Sequence, residues 1–91
     1  MADLDGEFEA AVSAIGALSA DPGTEVKLRL YALYKQATIG DVEGGRPGIT
    51  NPVGRAKYDA WAAARGLSAD EAKRAYVELA GRLRGAGDQP A

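Results

Sequence analysis

The strongest constraint on this chain is a periodicity. Apolar residues recur every three to four positions in four separate segments, and no segment alternates with the period of two of a half-buried strand. That pattern predicts an all-α fold. In the first segment, about residues 4–19, Leu4, Phe8, Ala11, Val12, Ile15 and Leu18 fall in one stripe roughly 80° wide at ~100° per residue. Asp21-Pro22-Gly23 ends it, because proline disfavours a helical predecessor and glycine permits a turn. The second segment, about 24–39, opens with Thr24 as the expected N-cap and with Glu25 in the first turn, where negative charge suits the helix dipole. Gly40 to Val53 reads as a loop punctuated by Gly44-Gly45-Arg46-Pro47-Gly48, long enough that it should cross over the domain instead of turning straight back. Asn51-Pro52 then supplies the N-cap and first residue of a third helix, about 52–65, with Val53, Ala56, Ala60, Ala63 and Ala64 on one side and Gly66 just past its end. The fourth opens with Ser68-Ala69-Asp70-Glu71, an S-x-x-E capping box, and carries Ala72, Ala75, Tyr76, Leu79 and Leu83 in register. Residues 1–91 read as one domain, whose last stretch, about 85–91, has nothing to bury and is expected to fray.

Size and composition narrow the function. A chain of 91 residues removes roughly 60–65% of its unfolded surface from water, enough for one modest core. It has no Cys and no His, so a thiolate nucleophile, a Ser–His relay, a disulfide framework and an ordinary zinc site are all excluded. The N-terminus, Met1-Ala2-Asp3-Leu4-Asp5-Gly6-Glu7, is acidic where a signal peptide is basic, and no apolar run approaches the ~20 residues of a membrane span. The expectation is a cytoplasmic protein without stable membrane insertion.

The net charge of −2 hides an asymmetry. Residues 1–23 hold five acids and no base, whereas 24–57 hold six bases against three acids. A basic patch on an acidic chain fits a small anionic ligand better than a nucleic acid, which DNA-binding domains meet with a basic face on a basic domain. Solvated charge scatter explains the same counts equally well.

The second segment has two organised faces. Val26, Leu30, Leu33 and Ala37 form the expected core stripe, while Lys27, Tyr31, Tyr34, Lys35 and Thr38 gather on the opposite side with Leu28 at its edge. Two tyrosines and a leucine on a solvent face bring no helix-propensity advantage, so something covers them. A neighbouring helix would do so. A ligand would too: the tyrosines stack on a flat ring or donate O–H bonds to an anion, and Lys35, four residues after Tyr31, reaches the same phosphate. Lys57, one turn before Trp61 and beside Tyr58 and Arg55, reads either as a phosphate contact or as a lysine whose stem covers the indole. Tyr76 lies in the fourth apolar stripe and, taken alone, is a core tyrosine. Gly40–Pro47 imitates a phosphate loop only superficially, since Arg46-Pro47 stands in place of Lys-Ser/Thr and no strand precedes it. Asp59, Asp70, Glu71 and Glu78 read as solvated charges or caps, so no catalytic constellation is present.

Tyr31-Ala32-Leu33-Tyr34-Lys35-Gln36-Ala37-Thr38-Ile39-Gly40-Asp41, then Arg46-Pro47-Gly48, then Ala56-Lys57-Tyr58-Asp59-Ala60-Trp61, then Ala72-Lys73-Arg74-Ala75-Tyr76 closely resemble the acyl-CoA-binding protein family, with its spacing from about Phe8 to Leu83. The resemblance implies a four-helix bundle, up-down-down-up, with the long connection between the second and third helices. It implies a non-catalytic carrier or buffer of medium- to long-chain fatty acyl-CoA esters, working as a monomer with acyl-CoA as ligand and no cofactor or metal. Carried over by position, Tyr31, Lys35 and Lys57 would grip the 3′-phosphate and neighbouring phosphates, and Tyr34 and Tyr76 would flank adenine and ribose. Leu28, with Ala11 and Ile15 nearby, would line the acyl end. Four departures bear on affinity and chain length: Gly16 where many members carry a base, Lys27 where an apolar residue is usual, Thr50-Asn51-Pro52-Val53 in place of a more hydrophobic stretch, and Tyr58 for a more frequent Trp. The competing reading from another class is a helical protein-interaction module that docks through the Tyr31/Tyr34 face.

Overall fold

The computed structural model describes residues 3–88, all of whose regular structure is helical. Helix α1 spans Leu4–Gly16, α2 Thr24–Thr38, α3 Pro52–Ala63 and α4 Ala69–Asp88. Among the described residues no helix is long and apolar enough to cross a membrane.

Each boundary has a local cause. The Asp3 carboxylate accepts the Gly6 N–H at 2.6 Å, and Asp5 and Glu7 add negative charge to the first turn of α1. That helix stops at Gly16, short of the expected residue 19: the Leu18 N–H bonds the Ile15 carbonyl at 3.2 Å, tightening the chain into a three-residue turn where glycine has already weakened helix propagation. Thr24 is the first helical residue of α2 and not its cap. The cap position belongs to Gly23, whose φ of 97° suits only glycine, and the turn before it is held by Asp21, whose carboxylate accepts the Gly23 N–H at 2.8 Å. Asn51 caps α3 through the Gly54 N–H at 3.0 Å, with Pro52 in the first turn. Ser68 and Glu71 form the reciprocal box, Glu71 N–H to Ser68 Oγ at 3.0 Å and Ser68 N–H to Glu71 Oε1 at 2.9 Å. The stretch expected to fray from residue 85 is helical to Asp88, because α4 propagates one bond per residue beyond its last apolar contact, and 89–91 lie outside the described residues.

Side-chain pairings give the helix directions. Asp5 meets Lys73 and Phe8 meets Tyr76, so α1 and α4 run parallel. Phe8 meets Tyr34, whereas Ile15 and Leu18 share a groove with Lys27 and Leu30, so α2 runs against α1. Lys57 reaches Tyr31 and Trp61 reaches Lys35, so α3 runs parallel to α2. The result is up-down-down-up, four helices side by side in a slab of 42 × 32 × 15 Å, with α4 beside α1 and α2, and α3 at the far edge against α2 alone.

The core lies between α1, α2 and α4: Phe8, Ala11, Leu30, Leu33, Ala37, Ala72, Tyr76 and Ala80, with Val12, Ile15, Val26 and Leu79 half-buried around it. Ala32, Gln36, Val42 and Ala64 are buried outside this core. Because α3 sits at the edge, it buries no residue of its own. Val53, expected inside, is 65% exposed, and Ala63 is exposed while Ala64 just beyond the helix is buried.

The long connection runs back along α3 and is fastened to it. Trp61 Nε1 donates to the Gly40 carbonyl at 2.7 Å, the Tyr58 hydroxyl to the Gly44 carbonyl at 3.2 Å, and Arg46 makes two bonds of 2.8 Å to Asp59. Its first residues are anchored below by Asp41, which accepts from Gln36 Nε2 at 2.7 Å and from the Gly66 N–H at 2.9 Å. Thus Asp59, read from sequence as a solvated charge or cap, is half of a bidentate ion pair that ties the loop to α3.

Candidate ligand-binding site

Two i, i+4 pairs on parallel neighbouring helices create the most unusual cluster in the molecule. Tyr31 and Lys35 stand on α2, Lys57 and Trp61 on α3. Lys35 Nζ lies 5.6 Å from the Tyr31 ring centroid and 5.9 Å from that of Trp61, and Lys57 Nζ lies 5.5 Å from the same Tyr31 ring. Two ammonium groups therefore lie near one phenol ring, and neither has a carboxylate within 4 Å among the described residues. Each ammonium is held by the quadrupole of the ring it faces, and an anion beside this phenol would meet both charges. Lys57 Nζ crosses to the neighbouring helix and lies near the Tyr31 ring.

The remaining expected site residues fall elsewhere. Tyr34 is 40% exposed at the rim of a groove of about 610 Å³ between α1, α2 and α4, where it stacks on Phe8 with centroids 6.0 Å apart. Tyr76 meets the same Phe8 edge-on at 5.2 Å and is only 4% exposed, as its place in the core stripe implied. Burial, with a smaller effect from Tyr34, holds its phenol above the usual tyrosine pKa, so it stays a neutral donor. Ala11 is buried in the same core, and Leu28 is half-buried one turn before Tyr31. Lys73 and Asp5 close the far end of this groove with a 2.6 Å ion pair, and the bond to Asp5 raises the Lys73 pKa. Lys27, from the same face of α2, is diverted to Asp21 at 3.0 Å.

Residues 5–80 match the family described as Acyl CoA binding protein. The chain belongs to the acyl-CoA-binding protein family. The acyl-CoA-binding protein of Saccharomyces cerevisiae is 42% identical over 76 residues, which cover 84% of this chain and 87% of that one. Enoyl-CoA delta isomerase 2 of Rattus norvegicus is 48% identical over 77 residues, 85% of this chain but 20% of that protein, so the chain spans about a fifth of this larger relative. The crystal structure of Oryza sativa Acyl-CoA-Binding Protein 2 superposes with a TM-score of 0.90 at 42% identity, covering 94% of each chain.

Within this acyl-CoA-binding protein framework, the structure brings together Tyr31, Lys35 and Lys57, keeps Tyr34 at a groove rim, and sets Tyr76 and Ala11 beneath the surface. Sequence reasoning missed the part played by Trp61, although its i, i+4 spacing from Lys57 mirrors that of Tyr31 and Lys35. It also missed Phe8 as the ring that joins Tyr34 to Tyr76, since a helical stripe marks burial but not which rings meet across helices.

Proposed function

We propose that the protein binds medium- to long-chain fatty acyl-CoA esters reversibly, as a carrier or buffer that performs no bond chemistry and needs no cofactor. Tyr31, Lys35 and Lys57 take the 3′-phosphate and its neighbours, Tyr34 with the rim of Tyr76 flanks adenine and ribose, and Leu28 with Ala11 and Ile15 lines the acyl end. The observation that carries the proposal is the convergence on one phenol of two ammonium groups that have no carboxylate partner among the described residues, in a member of this family. Burial of ~14 methylenes contributes on the order of 10 kcal/mol before association costs, and the phosphate contacts select thioesters of CoA over free fatty acids. We read the protein as a cytoplasmic monomer with no nucleic-acid partner. A helix-docking role for the Tyr31/Tyr34 face is not favoured, because the chain matches the acyl-CoA-binding family and Tyr31 is half-buried with two ammonium groups near its ring.

Titration calorimetry with palmitoyl-CoA, and with free CoA and palmitate as separate controls, all below their micelle concentrations, tests this. Saturable one-to-one binding of the thioester far tighter than either control is expected. No heat, with no competition by shorter acyl-CoAs, would sink the carrier reading.

A further inference from the structure

A second groove, of about 320 Å³, opens between the end of α1 and the start of α2, with Ile15, Leu18 and Leu30 among its walls. Its rim carries charge. Lys27 Nζ bonds Asp21 Oδ2 at 3.0 Å, and the other Asp21 oxygen accepts the Gly23 N–H at 2.8 Å, so the backbone fixes the carboxylate and the carboxylate fixes the lysine. The bonds to Gly23 and Lys27 hold the Asp21 pKa below the usual carboxylate range, which keeps the pair ionised. Lys27, Tyr31 and Lys35 are successive i, i+4 steps along one line of α2, and Ile15, proposed above for the acyl end, lines this same groove with Lys27, so a ligand with its phosphates at Tyr31 and Lys35 and its tail against Ile15 extends toward Lys27.

Hydrocarbon gains free energy on entering a groove only while the walls are apolar, and the aliphatic stem of a lysine counts as wall up to its ammonium. Beyond that, a methylene must strip water from an ion pair. We infer that the Lys27–Asp21 pair is a polar stop at the acyl end of the groove, which sets the longest fatty acyl chain the protein shelters. The inference rests on the acyl-CoA reading above.

Calorimetry of the intact protein with saturated acyl-CoAs from eight to eighteen carbons, each below its micelle concentration, tests it. Affinity rises roughly fourfold per methylene and then levels at one chain length. Lys27→Met moves that break to chains at least two carbons longer. Asp21→Asn, which keeps an acceptor for the Gly23 N–H, moves it the same way by a smaller step because the freed ammonium swings out. The same break in all three proteins, or a steady rise with no break in any, overturns the stop while leaving the carrier reading intact. If Lys27→Met weakens free CoA and every ester alike with the break in place, the ammonium serves the phosphates and the inference is wrong. Absence of binding to every ester would instead bring down the carrier reading itself.

Discussion

At the scale of single residues, the site is a matter of charge held close by aromatic faces. Lys35 is half-buried near Tyr31 and Trp61, and Lys57 reaches over from α3, so two cations stand near one phenol ring. A hydrogen bond to a charged group is worth about 1.5–3 kcal/mol, and Lys35→Ala is expected to lose that much acyl-CoA affinity while its urea midpoint hardly moves. Calorimetry of the variant decides the point: affinity equal to that of the parent would remove Lys35 from the phosphate role. Affinity of the parent should also fall as salt rises, because exposed charge contacts are screened within about a Debye length.

At the scale of elements, the long connection is a strap that fixes α3 against α2 and thereby sets the Lys57–Tyr31 distance. The recognisable sequence run is divided between two tasks. Tyr31, Lys35 and Lys57 face the cluster, whereas Gln36, Asp41, Arg46 and Asp59 hold the strap. Trp61 serves both, with its ring near Lys35 and its Nε1–H on the Gly40 carbonyl. Trp61→Phe keeps an aromatic face and removes the donor. It is expected to cost about 1 kcal/mol of stability. A urea midpoint unchanged from the parent would show that this bond does not hold the strap.

At the scale of the whole molecule, stability is linked to pH through carboxylates that the fold keeps ionised. Asp41 is held below its ordinary pKa first by the Gly66 N–H and then by Gln36, Asp59 by its bonds to Arg46, and Glu71 by the Ser68 backbone and hydroxyl. A carboxyl whose folded pKa is depressed stabilises the fold above its unfolded value, and that contribution fades as pH falls through the folded one. Stability should therefore be level near neutrality and decline below about pH 4. Asp41→Asn, measured by urea unfolding from neutral to acid pH, is expected to be less stable at neutrality and to show a shallower acid decline. An acid decline as steep as the parent's would mean that Asp41 does not contribute to it.

Much of this was legible in the sequence because it is local. Helical periodicity, the Asn51-Pro52 start and the Ser68–Glu71 box depend on residues within a few positions of one another, and short-range backbone geometry answers to them directly, whereas α3 ends at Ala63 with Ala64 as its cap, three residues before the glycine expected to stop it. The Tyr31-to-Asp41 run likewise pointed to the family from its own letters. Tertiary structure alone decided what each face meets. A helical wheel gives an angle about one axis and is silent on the neighbour. It could not show that α3 lies at the slab's edge and leaves Val53 exposed, or that Gln36 is buried on Asp41 and the Leu67 carbonyl while Tyr76 meets Phe8 edge-on. The parallel register of α2 and α3, which places Lys57 on Tyr31 and Lys35 beside Trp61, arises from contacts more than twenty residues apart in the chain. No local pattern encodes that register, because it is fixed only when the strap closes and the two helices pack.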